Sequence, residues 1–169
     1  MEYLYAPWRK QYVQSVHGES KNTDSNTCVF CTQIASNQDE QHLVLARFEH
    51  AVVMLNLYPY NSGHLLVIPH AHVEQLDQLS APTRIQLMEL TNALCTLLRS
   101  QQKAHGINVG LNLGKAAGAG IPQHLHMHVL PRWIGDTNFL PLLAQTKQIS
   151  VDLRELYAQL KPLVQAIKL

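Results

Sequence analysis

The 169-residue chain predicts an α+β domain: a mainly antiparallel sheet of about five strands, one long packed helix and a C-terminal helix. Three observations carry that expectation. Apolar runs of strand length come early, at 43–46, 51–55 and 64–68, and a helical stripe follows over 81 to about 102. Strand-like runs then return at 107–113 and 124–130. Strands, then a helix, then strands, with turns and no helical crossover between the early runs, favour antiparallel pairing.

Each element has a local reason. Leu43-Val44-Leu45-Ala46 and Ala51-Val52-Val53-Met54-Leu55 flank Arg47-Phe48-Glu49-His50, which reads as a hairpin. Tyr58-Pro59-Tyr60-Asn61-Ser62-Gly63 turns the chain into a third strand from His64 to Ile68, which Pro69 is expected to end. Ser80 is an N-cap candidate and Pro82 suits a first helical turn. Ile85, Met88, Leu90, Leu94, Leu97 and Leu98 recur at helical intervals, predicting the face that packs on the sheet. After the strand 107–113 comes a small-residue loop from Gly114 to Gly120. The tail, 150–169, is helical in pattern, with Pro162 expected to kink or divide it.

The length fits a single domain over 1–169. Residues 1–27 form an N-terminal arm, and the almost wholly polar stretch 17–27 reads as a surface loop. An apolar content of 46% supplies a core, while 15% charged residues and a formal charge of +1 leave no basic footprint for nucleic acid. No stretch approaches the roughly 18 apolar residues that span a bilayer. The first residues lack the features of a signal peptide, so the expected compartment is the cytoplasm.

Ten histidines in such a chain are the lead to function. In Gln123-His124-Leu125-His126-Met127-His128-Val129-Leu130 the strict alternation predicts three imidazoles on one strand face and an apolar core face opposite. Imidazole is both nucleophilic and proton-transferring near neutral pH. Gly114, Gly118 and Gly120 lie just upstream and permit backbone N–H groups to converge on an anion. A row of imidazoles beside such a loop points to phosphoryl chemistry. A cupin-like metal site is the rival reading, and it fails for want of an acidic residue between 127 and 133.

The run His124-Leu125-His126-Met127-His128-Val129-Leu130 resembles the signature of the histidine triad family. Longer blocks, among them Leu4 to Arg9, Leu57 to Leu65, Gly110 to Gly114 and Pro131 to Phe139, resemble its bacterial branch related to diadenosine tetraphosphate phosphorylases. The resemblance implies a nucleotidyl transferase or hydrolase acting on adenine dinucleoside polyphosphates, with His126 as the nucleophile and His128 and His124 beside it. A nucleotidyl-histidine intermediate would be released by inorganic phosphate or water. Asn112, Gly118, Ala119 and Gly120 would line the phosphate site, Asn56 would meet the ribose, and Leu55, Leu57, Leu66 and Val129 would wall the base. His64 fits either phosphate contact or a supporting role. The family's branches carry Gln or Ser where this chain has Gly120, which leaves phosphorolysis and hydrolysis both open. Adenylylated amines are an alternative substrate class, and a non-catalytic nucleotide-binding adaptor is an alternative of another kind. The family also implies a homodimer.

Cys28-x-x-Cys31 is half of a tetrahedral zinc site. By the same resemblance, His72 and His124 would complete a structural zinc centre, with His70 competing for the place of His72. The third cysteine, Cys95, lies among leucines of the long helix and reads as inert core.

Overall fold

The computed structural model describes residues 28–138, 143 and 152–169. The expected arm 1–27, with its polar loop 17–27, lies outside the described residues, as does the start of the tail. The element order is α1 (Val29–Ala35), β1 (Val44–Arg47), β2 (Ala51–Leu55), β3 (Leu65–Pro69), α2 (Ala81–Gln101), β4 (Gly106–Leu111), β5 (Met127–Arg132) and α3 (Leu153–Gln165), with 3-10 turns at Leu76–Gln78 and Lys115–Ala117. The five strands form one antiparallel sheet in the order β1-β2-β3-β5-β4.

Both faces of the central strands are covered, and that explains their unbroken apolar sequences: every residue of β2 and β3 is buried. On one face, Val53, Leu55, Leu65, Val67 and Val129 pack with Leu87, Leu90, Leu94 and Leu98 of α2 and Leu156, Leu160 and Val164 of α3. On the other, Val52, Met54, Leu66 and Ile68 pack with Cys28 and Phe30 from the start of α1. The second, smaller core is the one that meets the histidines.

Several expectations need correction. The third strand runs through Pro69, which pairs with Ala51 at the strand's last position, where a missing N–H is tolerated. β4 ends at Leu111, so Asn112 and Leu113 belong to the following loop. Ser80 caps α2 as expected, accepting from the Thr83 N–H, but Ile85 and Met88 face outward at 63% and 57% exposure. Thr83, Leu87 and Thr91 join the expected Leu90, Leu94, Leu97 and Leu98 on the buried face in their place. The helix is apolar on more than one side, so its sequence allows two stripes and packing selects one. α3 passes through Pro162 undivided, three residues from its end. Asp152 caps that helix through the N–H groups of Arg154 and Glu155, and Tyr157 donates its hydroxyl to the Val44 carbonyl. No described helix is long and apolar enough to cross a membrane.

Candidate active site and metal cluster

Pairing in β5 begins only at Met127, opposite Val67 and Leu111. His124, Leu125 and His126 therefore precede the strand: the Leu125 N–H goes to the Val73 carbonyl at 2.7 Å, not to a sheet neighbour. The single face of three imidazoles is thus corrected to two sites. His124 turns into the cysteine cluster, while His126 and His128 stay together, ring centroids 4.9 Å apart. Burial also fails to alternate, because Phe30 of α1 closes over the histidine side, 5.1 Å from the His126 ring and 5.6 Å from that of His124.

The hydrogen bonds decide the tautomers. His126 Nδ1 lies 2.8 Å from the His124 carbonyl and must donate to it, which leaves the lone pair on Nε2. Burial pushes the His126 imidazole below its ordinary pKa, and the carbonyl bond opposes that shift. The Tyr60 N–H donates to His64 Nδ1 at 3.1 Å, and the Asn56 amide sits 3.3 Å from the same atom. His64 is therefore protonated at Nε2, from which it donates across 2.9 Å to His128 Nδ1. His128 in turn carries its own proton on Nε2. The pair of imidazoles is thus sorted into one ring with an Nε2 lone pair and one with an Nε2–H.

The turn that aims His64 is built closely. Gly63 has φ +75°, and a Cβ there would lie 3.1 Å from Pro131 Cγ, so both the backbone conformation and the space favour glycine. Buried Asn61 donates to the Pro131 carbonyl at 3.0 Å and to Asp136 Oδ2 at 2.8 Å. Asp136 is held by Arg132 through bonds of 2.6 and 3.0 Å. This clamp went unnoticed in the sequence because its members are ordinary polar loop residues; the local pair Arg132 and Asp136 was the available signal.

A cavity of about 400 Å³ opens beside the two histidines. His126, His128, Asn112 and Gly120 line it together with Asn56, Leu55, Leu57 and Leu66, all expected there. Four expected residues do not. Gly118 and Ala119 spend their N–H groups within the loop, on the carbonyls of Lys115 and Gly114, which removes them as anion donors. His64 is fully buried behind His128, and Val129 packs in the core beneath α2. Conversely, Val29, Phe30, Gln33 and His42 line the cavity without having been singled out. The seven-residue α1 is too short for periodicity to reveal.

At the inner side of α1, donor atoms of Cys28, Cys31, His72 and His124 lie within 4.8 Å of one another. His124 donates Nε2–H to the Pro69 carbonyl at 3.0 Å, so Nδ1 presents a lone pair to the sulfurs of Cys28 and Cys31 at 3.4 and 3.5 Å. His72 Nδ1 is 3.3 Å from the Cys31 sulfur. His70 points elsewhere, toward the Phe48 carbonyl at 2.9 Å. Burial pushes the Cys31 thiol up to about 11, with Cys28 adding to the shift, and burial pushes His124 down to about 4. Two sulfurs and two correctly oriented imidazole nitrogens fit a soft divalent cation, and the cluster can hold a metal. Cys95 is half-buried against the main core, and burial raises its thiol pKa.

Residues 37–133 match the family model described as HIT domain. An AP-4-A phosphorylase from Mycobacterium tuberculosis is 37% identical over 156 residues, covering 92% of this chain and 80% of that protein. Among solved structures, a Zn-bound histidine triad family protein from Mycobacterium smegmatis aligns with a TM-score of 0.68 at 26% identity, covering 83% of this chain and 95% of its own. A hypothetical histidine triad nucleotide-binding protein from Sulfolobus tokodaii aligns at 0.63 with 27% identity, covering 81% and 89% respectively.

Proposed function

The chain belongs to the HIT family, and with that as premise we propose that it is a nucleotidyl transferase cleaving adenine dinucleoside polyphosphates, with phosphorolysis favoured over hydrolysis. The observation that carries the reading is the opposed tautomers of the two rings beside the cavity. His126 Nε2 has the lone pair to attack the α-phosphorus, and a P–N bond forms as the bridging P–O bond breaks. His128 Nε2–H donates a hydrogen bond to the departing nucleotide oxygen, which leaves as a phosphate anion, so His128 keeps its proton throughout. The nucleotidyl group is then transferred from His126 to inorganic phosphate, which restores the free imidazole. Water in place of phosphate would make the same site a hydrolase. The similarity to a relative named AP-4-A phosphorylase supports the phosphorolytic choice.

Asn112 and Gly120 line the phosphate end of the cavity, and Asn56 stands beside His64 where a ribose would follow. Leu57 and Leu66 supply apolar wall, and Leu55 borders the cavity while its side chain packs in the core beneath α2. Zinc is the metal that the two thiolates and two imidazoles suit, held by Cys28, Cys31, His72 and His124. Its contribution there is a fixed tie between α1 and the sheet; the transfer steps belong to His126 and His128. The protein works in the cytoplasm as a homodimer, without nucleic-acid or membrane partners.

The decisive experiment incubates the purified protein with diadenosine tetraphosphate, with and without phosphate. ADP plus ATP formed only with phosphate is expected. AMP plus ATP would make it a hydrolase, and binding without turnover would make it an adaptor. His126→Ala is expected to abolish turnover while AMP still binds; full activity in that variant would sink the covalent route.

A further inference from the structure

We propose that Gln33 is the residue that selects the base, its carboxamide reading the 6-amino group and the adjacent ring nitrogen of an aminopurine. The inference rests on the nucleotide-transfer reading above and deepens it. Val29, Phe30 and Gln33 occupy positions i, i+1 and i+4 of α1 and share one face, the face that lines the cavity. Phe30 fixes the scale, since its ring lies 5.1 Å from that of His126. Gln33 stands nearly one helical turn farther on, about 4.5 Å along the axis. With phosphorus at His126 and ribose at Asn56, the base falls among Met54, Leu57 and Leu66, and its edge faces α1.

Beyond Asn56, Asn112, the two tyrosines Tyr58 and Tyr60 and the two histidines, the polar side chains that line the cavity are Gln33, Gln41 and His42. Polar groups in an apolar pocket are the ones that give orientation and specificity. Gln33 is half-buried on a helix, whereas Gln41 is exposed in the turn that follows. Among the described residues, no hydrogen bond engages the Gln33 carboxamide; only its backbone carbonyl is used, by Ser36. A carboxamide offers one acceptor and one donor side by side, complementary to the amino donor and ring-nitrogen acceptor of adenine. His42, with a single ring nitrogen presented at a time, cannot match both.

The test measures binding of AMP and of purine riboside monophosphate, which lacks the 6-amino group, by calorimetry on the full chain. The native protein is expected to prefer AMP by about tenfold or more, and Gln33→Leu to bring the two within roughly twofold. Gln41→Leu, as the control, should keep the native preference. An unchanged preference in a folded Gln33→Leu protein, or its loss in Gln41→Leu instead, overturns the assignment while leaving the transfer chemistry standing. Failure of the native protein to bind either nucleotide overturns both.

Discussion

His64 lies behind the cavity, yet its ring decides what His128 can do. The Tyr60 N–H fixes the His64 tautomer and His64 fixes that of His128, so a backbone amide in the turn ahead of β3 places a proton on the His128 imidazole beside the cavity. Replacing His64 with Phe keeps much of the volume and removes both ends of the relay, the bond from the Tyr60 N–H and the bond to His128 Nδ1. The variant should lose about tenfold to a hundredfold in kcat with little change in KM. His64→Gln retains a donor toward His128 and should recover part of the loss. Steady-state kinetics on both variants check this order; a folded His64→Phe protein with native kcat would show that the relay is idle. That His126 and His128 share a side was legible in the sequence because alternation marks it; that His124 leaves them was not. The tautomers were not, because they depend on contacts such as Tyr60 to His64 and His124 to His126, whose partners are backbone groups without a side-chain signature. Gln33 and His42 were invisible for a related reason: a polar residue acquires meaning only from the cavity it faces.

At the scale of elements, α1 is the weak member, and the cluster of Cys28, Cys31, His72 and His124 is where it meets the sheet. Seven residues fall well short of the roughly 12 to 15 that an autonomous helix needs, and its cap residue, Cys28, makes no side-chain capping bond. The helix is held through Phe30, Cys28 and the Cys31 side chain, with Arg47 bonding the Ile34 carbonyl at 2.8 Å near the other end. Metal binding in such a cluster is folding free energy. Chelation, or Cys31→Ser, is expected to cost a few kcal/mol, which at roughly 2 to 4 °C per kcal/mol for a chain of this size lowers Tm by about 10 °C. AMP affinity should weaken alongside, because Val29, Phe30 and Gln33 form a wall of the cavity. His70→Ala should leave metal content and melting unchanged. Thermal melts paired with metal analysis decide it, and a Cys31→Ser protein that melts like the native one would remove the cluster's structural role. The cysteine pair was readable from its spacing, whereas the helix it opens was not: Cys, Val and Thr favour it weakly, and two turns are too few for a stripe.

Across the whole molecule, the order β1-β2-β3-β5-β4 leaves two sheet edges, and they are treated differently. At β1, the Tyr157 hydroxyl from α3 takes the Val44 carbonyl, and Arg47 is tied to Asp39. At β4, Asn108, Val109 and Gly110 are exposed, with Val109 at 47%. An open edge invites pairing with another strand. The long helix, whose inner face packs on the sheet, leaves Ile85 and Met88 in the open as well, the two residues that its sequence pattern assigns to the core. The proposed homodimer pairs a second copy along β4 and covers outward α2 side chains through one two-fold interface. The proposed homodimer should elute and scatter at twice the 19.0 kDa chain mass. Charges on both parts of the surface, Val109→Lys with Met88→Glu, should shift it to monomer at micromolar concentration without lowering helix content, since neither residue is buried. Light scattering across a dilution series measures this, and a native chain that scatters as a monomer at every concentration would rule the interface out. Because no residue of β4 or α2 is among the lining residues described for the cavity, the monomeric variant should still bind AMP, which separates assembly from catalysis in a single preparation.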